Sequence, residues 1–135
     1  MSQANVEVVR RLYEAIQRGD SAAVLNLYDP DVEWDMSGYP YGEMLTVRSR
    51  GHAALRTFWR ELYEAWDAYD HDVHELIDAG DHVVSVVTDR GRGRASGAEV
   101  RTDAYGVWTV RDGKITRSIW FRTRAQALEA AGLSE

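Results

Sequence analysis

Three side chains in this 135-residue chain stand where a proton could be moved. Asp89 closes an otherwise apolar run that holds Val83, Val84, Val86 and Val87, and a carboxyl group enclosed at such a strand end can give and take a proton. Asp35 sits in Val32-Glu33-Trp34-Asp35-Met36, a short stretch of alternating polarity, and Tyr13 lies on an N-terminal amphipathic segment. Each also has a plainer reading. Asp89 can pair with Arg90 or Arg92 at a solvated strand end, Asp35 can be a solvated strand residue, and Tyr13 can be a core aromatic.

Other chemistries find less support. His71-Asp72-Val73-His74-Glu75 offers metal-ligand types, but residues three apart on a strand point to opposite faces, so no metal site is expected from His71 and His74. Gly91-Arg92-Gly93-Arg94-Ala95-Ser96-Gly97 lacks the strand-to-helix context of a phosphate loop and reads as a hairpin tip, with Arg92 or Arg94 able to reach an anionic partner. There is no cysteine, which excludes disulfides and thiolate chemistry. Twenty-two acidic against 16 basic residues, a net charge of -6, argue against a nucleic-acid partner. No apolar run is long enough to span a bilayer, and the N-terminus lacks a basic-then-apolar leader pattern. The expectation is therefore a cytoplasmic protein with no nucleic-acid or membrane partner and no cofactor.

The elements that must position these residues are legible from periodicity. Val6, Val9, Leu12, Tyr13 and Ile16 recur at helical spacing up to Gly19, and a second helix capped by Asp20 or Ser21 carries Val24, Leu27 and Tyr28 as far as Asp29-Pro30. Val32 to Met36 reads as a strand, followed by a Gly/Pro/Tyr-rich loop, Ser37 to Gly42, suited to act as a flap. Leu55, Phe58, Trp59, Leu62, Tyr63 and Trp66 form a wide apolar stripe, which predicts a long helix from Gly51 to Ala68. Turn signals at Ala79-Gly80-Asp81, Gly91 to Gly97 and Arg111-Asp112-Gly113 then divide strands at about His71–Asp78, His82–Arg90, Ala98–Val110 and Lys114–Arg122. Thr123 and Gln126 have the spacing of a capping box for a short last helix ending at Gly132. Helices followed by tightly connected strands imply an α+β domain with the helices gathered on one face of a twisted sheet.

These stretches together resemble the SnoaL-like branch of the nuclear transport factor 2-like superfamily over nearly the whole chain. The resemblance is carried by Leu12-Tyr13-Glu14-Ala15-Ile16-Gln17-Arg18-Gly19-Asp20, Asp31-Val32-Glu33-Trp34, Arg50-Gly51-His52, Val107-Trp108-Thr109-Val110-Arg111-Asp112-Gly113-Lys114-Ile115 and Ala127-Leu128-Glu129-Ala130-Ala131-Gly132-Leu133. It implies one domain over residues 1–135, with a curved antiparallel or mixed sheet wrapped as a cone around the N-terminal helices. The result is an α+β barrel with an apolar pocket.

What the resemblance implies for chemistry is mixed. Positions that act in the steroid isomerases of this fold fall on Leu12, Met36 and about Gly106, none of which can move a proton, although Tyr13 and Asp35 are each one residue away. The limonene-epoxide-hydrolase set falls on Trp120, about Val87 and Asp89, so one acid of that set is retained. The pocket wall is better kept. Tyr28 and Trp59 match wall aromatics, and the wall implied comprises Tyr28, Trp34, Met36, Trp59, Tyr63, Thr102, Trp108, Ser118 and Trp120. By strand alternation Thr102, Ala104, Gly106 and Trp108 share one face, and Thr116, Ser118 and Trp120 share another.

Small polar groups among large rings suit a small apolar or weakly polar molecule. The chain therefore reads as a pocket protein, with isomerase, cyclase or dehydratase chemistry by metal-free acid/base catalysis resting on Asp89, Asp35 and Tyr13. The alternative is a ligand-binding or structural homodimer without turnover. Tyr105, Val107, Ile119 and Phe121 make the opposite sheet face apolar as well, and a second copy of the chain is the expected cover for it.

Overall fold

Val9 and Leu12, both 0% exposed, anchor the first helix, α1 (Gln3–Arg18), against a sheet in a computed structural model that describes residues 3–39 and 48–133. The side chains at 48, 63, 65, 67 and 68 are not described. α1 stops at Gly19, and the Asp20 side chain caps α2 (Ser21–Asn26) by accepting from the Ala23 backbone N–H.

The second helix is shorter than its pattern suggests. Leu27 is its C-cap, and Tyr28, expected on the helix, opens strand β1 (Tyr28–Asp35). Two causes act together. Pro30 disfavours helical backbone at the residue before it. The Ile115 N–H also reaches Leu27 O at 2.8 Å and draws the chain into the sheet.

The order continues with β2 (Arg48–Arg50), α3 (His52–Ala65), β3 (Trp66–Ala79), β4 (His82–Gly93), β5 (Glu99–Arg111), β6 (Lys114–Phe121) and α4 (Arg124–Ala130). α3 ends three residues before the expected Ala68, and β3 begins at Trp66 rather than at His71. Its ladder to β4 runs from Trp66 opposite Gly93 to Ala79 opposite His82, and those backbone bonds outcompete three more helical residues.

The six strands lie in the order β2-β1-β6-β5-β4-β3. Every pairing is antiparallel except β1 with β6, so the sheet is mixed. It is also open, with β2 and β3 as its edges, where a barrel would close.

Two bulges decide which side chains face inward. On β3 the register with β4 shifts between Val73 and Glu75, leaving His74 as the extra residue. On β6 the register with β5 shifts at Thr109/Val110, leaving Thr116 extra. Thr116 consequently does not share a face with Ser118 and Trp120. Ile115, 0% exposed, takes the inner position, and the Thr116 hydroxyl donates to Thr109 O.

The inner face packs on α1 and α3 through a large cluster that includes Val9, Leu12, Val32, Leu55, Phe58, Val83, Val87, Ala104 and Ile115. The outer face is not bare. α4, begun by Thr123 accepting from the Gln126 N–H, packs Ala127 and Leu128 onto Val84 and Val107. The helices are thus on both faces, with one on the outer side. Among the described residues no helix is long and apolar enough to cross a membrane.

Candidate active site

Between the inner face and α3 lies a cavity of about 60 Å³. Its wall is aromatic. Tyr39 meets Trp120 edge-on at a centroid distance of 5.5 Å, Trp120 meets Trp108 at 5.7 Å, Trp108 meets Tyr13 at 5.9 Å, Tyr13 meets His71 at 5.6 Å, and His71 meets Tyr69 at 4.9 Å. These edge-to-face contacts link the rings into one chain and hold each orientation.

Asp89 stands on that wall at 5% exposure. His71 lies directly across the β3–β4 ladder, with its Nδ1 2.6 Å from Asp89 Oδ1, and the Tyr39 hydroxyl donates to Asp89 Oδ2. Both carboxylate oxygens of Asp89 are thus engaged, and a His71 ring protonated at Nδ1 would donate to Oδ1. The other ring nitrogen, Nε2, is buried and has no hydrogen-bond partner among the described residues.

The bulge at His74 creates this pair. Nearer the turn, Ala79 faces His82 and Glu75 faces Val86; continued without a shift, that register would set His71 opposite Arg90 and Asp89 opposite Asp72. The extra residue slides β3 by one position and turns His71 inward onto Asp89. Arg90, expected as a partner for Asp89, pairs instead with Asp70 at 2.8 Å and Asp72 at 3.1 Å on the outer surface.

A second hydrogen-bonded group lies deeper. Ser85 Oγ, 0% exposed, accepts from the Tyr13 hydroxyl at 3.1 Å and from Trp108 Nε1 at 2.8 Å. Gly106 leaves the room for it, since a Cβ there would lie 2.9 Å from Ser85 Oγ and 3.0 Å from Trp108 Nε1. Burial pushes the Tyr13 hydroxyl well above the ordinary tyrosine pKa of 10.0, and does the same to Tyr69. Both are neutral donors at ordinary pH.

A family model described as a SnoaL-like domain matches residues 9–118. The chain belongs to the SnoaL-like family. Solved structures similar to this SnoaL-like chain include an NTF2-like protein from Burkholderia thailandensis E264, 32% identical, covering 90% of this chain and 95% of that one with a TM-score of 0.76. An NTF2-like protein of unknown function from Burkholderia pseudomallei K96243 is 27% identical over 94% of this chain and 96% of that one, with a TM-score of 0.77. TerC, co-crystallised with polyporic acid, is 26% identical over 96% and 99% of the two chains, with a TM-score of 0.75. No curated protein matches the sequence.

Within this SnoaL-like fold the residues singled out from the sequence divide. Asp89 and Tyr13 line the cavity, as do Tyr28, Trp34, Met36, Trp59, Trp108, Ser118 and Trp120. Thr102 is buried opposite Asp89 on β5 but does not line the cavity. The Tyr63 side chain, and the part of the expected flap beyond Tyr39, lie outside the described residues.

Asp35 is not brought to Asp89 and Tyr13. It is half-buried at the end of β1, where its Oδ1 accepts from the Ser37 N–H at 2.9 Å and builds the turn that delivers Tyr39. His71, Tyr39, Tyr69 and Ser85 were not among the expected site residues. The one signal for His71 was its distance from the Ala79-Gly80-Asp81 turn, and that count misses by one without the bulge.

Proposed function

We propose that this SnoaL-like protein catalyses a metal-free proton transfer, of the kind used by isomerases, cyclases and dehydratases, with His71 and Asp89 as a working pair. The observation that carries this reading is the buried His71–Asp89 contact of 2.6 Å with His71 Nε2 left unpartnered. Asp89 holds the Nδ1 proton and so leaves the Nε2 lone pair bare. Nε2 takes a proton from an acidified C–H or O–H of the substrate, the resulting imidazolium is stabilised by Asp89, and the same proton is returned at another atom. Tyr39 holds the second oxygen of Asp89. Tyr13 and Tyr69, whose rings flank the imidazole, fix its plane.

The aromatic wall supports a ring-bearing or otherwise apolar substrate. TerC, similar over nearly its whole length, was co-crystallised with polyporic acid, which makes that compound a first ligand to titrate here.

The test is proton exchange in heavy water. A panel of enolisable cyclic ketones and β-keto esters is incubated with the protein, and loss of the α-proton signal is followed by NMR. The wild type should accelerate exchange for at least one member, and Asp89→Asn and His71→Gln should each reduce the acceleration about 10²- to 10⁴-fold. Exchange that proceeds equally with and without protein, or that survives both substitutions, would sink the proposal.

The non-catalytic alternative draws on a specific observation, the small cavity. Its rings fill most of the space that a drug-sized ligand, at roughly 300 Å³ or more, would need. Binding of polyporic acid with no exchange activity on any panel member would favour that reading.

A further inference from the structure

The size of the cavity constrains what can reach His71. About 60 Å³ admits a small group of atoms, so a substrate must keep most of its bulk elsewhere. A surface groove of about 700 Å³ lies beside it, between the α1–α2 turn, α3 and the start of β3. Ile16, Trp59, Tyr69 and His71 line both, so these four side chains are the partition between groove and cavity.

The charges around the groove are unevenly satisfied. Arg18 pairs with Asp20, and Asp70 is held by Arg90 and approached by Gln17. Arg56 and Arg60 differ. They stand one turn apart on the same face of α3, both exposed and both lining the groove, and neither makes an ion pair among the described residues. The groove lining carries Arg18, Arg56 and Arg60 against Asp20 and Asp70, a positive excess on a chain of net charge -6, and His71 is among its lining residues.

We propose that the substrate is an amphipathic anion. Its carboxylate or phosphate is held in the groove by Arg56 and Arg60, and an apolar end passes between Trp59 and Tyr69 to place the reacting atom at His71. This rests on the acid–base reading above for what happens at His71, but the anion site is separable from it. Guanidinium forks suit either oxyanion, and the apolar stem between them and His71 matches the aromatic partition.

The probes are phenylbutanoate, phenylpropyl phosphate and neutral phenylbutanamide, titrated calorimetrically at low ionic strength into the wild type and into an Arg56→Gln/Arg60→Gln variant. Both positions are exposed, so the variant should keep the wild-type circular dichroism. The expected result is that at least one anion binds about fivefold more tightly than the amide, and that this preference disappears in the variant and in high salt. Preference for the carboxylate alone or the phosphate alone identifies which oxyanion the groove takes. Equal binding of amide and anions, persistence of the preference in the variant, or no binding of any probe overturns the inference. Asp89→Asn separates the two readings: it should reduce proton exchange about 10²- to 10⁴-fold while leaving the preference for anion over amide at least as large.

Discussion

At the residue scale, the site is defined by how little water its polar groups see. Asp89, His71, Ser85 and Tyr13 are each at most 6% exposed, and each has a hydrogen-bond partner within the fold, His71 through Nδ1 alone. Burial has a measurable consequence for the tyrosines. It pushes Tyr13, Tyr28 and Tyr69 above the ordinary value of 10.0, so above pH 10.0 the unfolded chain releases protons that the folded chain retains. Stability owed to these groups is whole below that value and declines as pH rises beyond it toward the folded values. Chemical denaturation across this range should show a flat stability up to about pH 10 and a steady fall above it, with the tyrosinate absorbance of these residues appearing only as circular dichroism is lost. Tyrosinate signal from all of the tyrosines ahead of unfolding would contradict their burial.

At the scale of elements, the site depends on two places where the chain departs from regular geometry. One is the bulge at His74, which sets the face and register of His71. The other is the turn after β1, where Asp35 binds the Ser37 N–H and the Tyr39 N–H returns to Met36 O at 2.9 Å. Gly38 makes that turn possible, because a Cβ there would lie 2.1 Å from Trp120 O on β6. The obstacle is backbone and cannot rotate away. Gly38→Ala should therefore cost about 1–3 kcal/mol of stability and move Tyr39 off Asp89. Urea denaturation checks the first, and a shift of the His71 ring resonances in NMR checks the second. A variant of unchanged stability with an unchanged His71 spectrum would show that the turn has slack that the close approach does not suggest.

At the scale of the whole molecule, the sheet separates two environments. Its inner face, α1 and α3 enclose the cavity, while its outer face carries the small cluster under α4. The expected homodimer is left a smaller apolar area than the strand pattern implied, since α4 already covers Val84 and Val107, with Tyr105 and Phe121 packed at the margin. Val86 and Ile119 belong to neither cluster and are half-buried, and they mark the strip that a second chain would use. Sedimentation equilibrium at micromolar concentrations should return twice the chain mass if that strip pairs two copies, and Ile119→Glu should then return it to one. A single-chain mass for the wild type across the whole range would end the dimer expectation.

Legible in the sequence alone were the four helices and five of the six strands in their order, the fold family, and one acid, Asp89, at the end of an apolar strand, while the short β2 was not expected. The elements and the place of Asp89 follow from periodicity, turn residues and composition, which act over a few neighbours in the chain, whereas the family rests on the resemblance of the quoted stretches. Only the tertiary structure decided which residues meet that acid. His71 arrives through a single extra residue in a strand, a shift that no local preference encodes and that reverses the face of the side chains from Val73 to Tyr69. Tyr39 arrives through a turn whose fit is judged against the backbone of β6, far along the chain. The same dependence explains the misread boundaries, for Tyr28 and Trp66 carry helical patterns locally and become strand because ladder partners at Ile115 and Gly93 lie beside them. Periodicity reports which side of an element is apolar, whereas register and burial depend on contacts between distant parts of the chain.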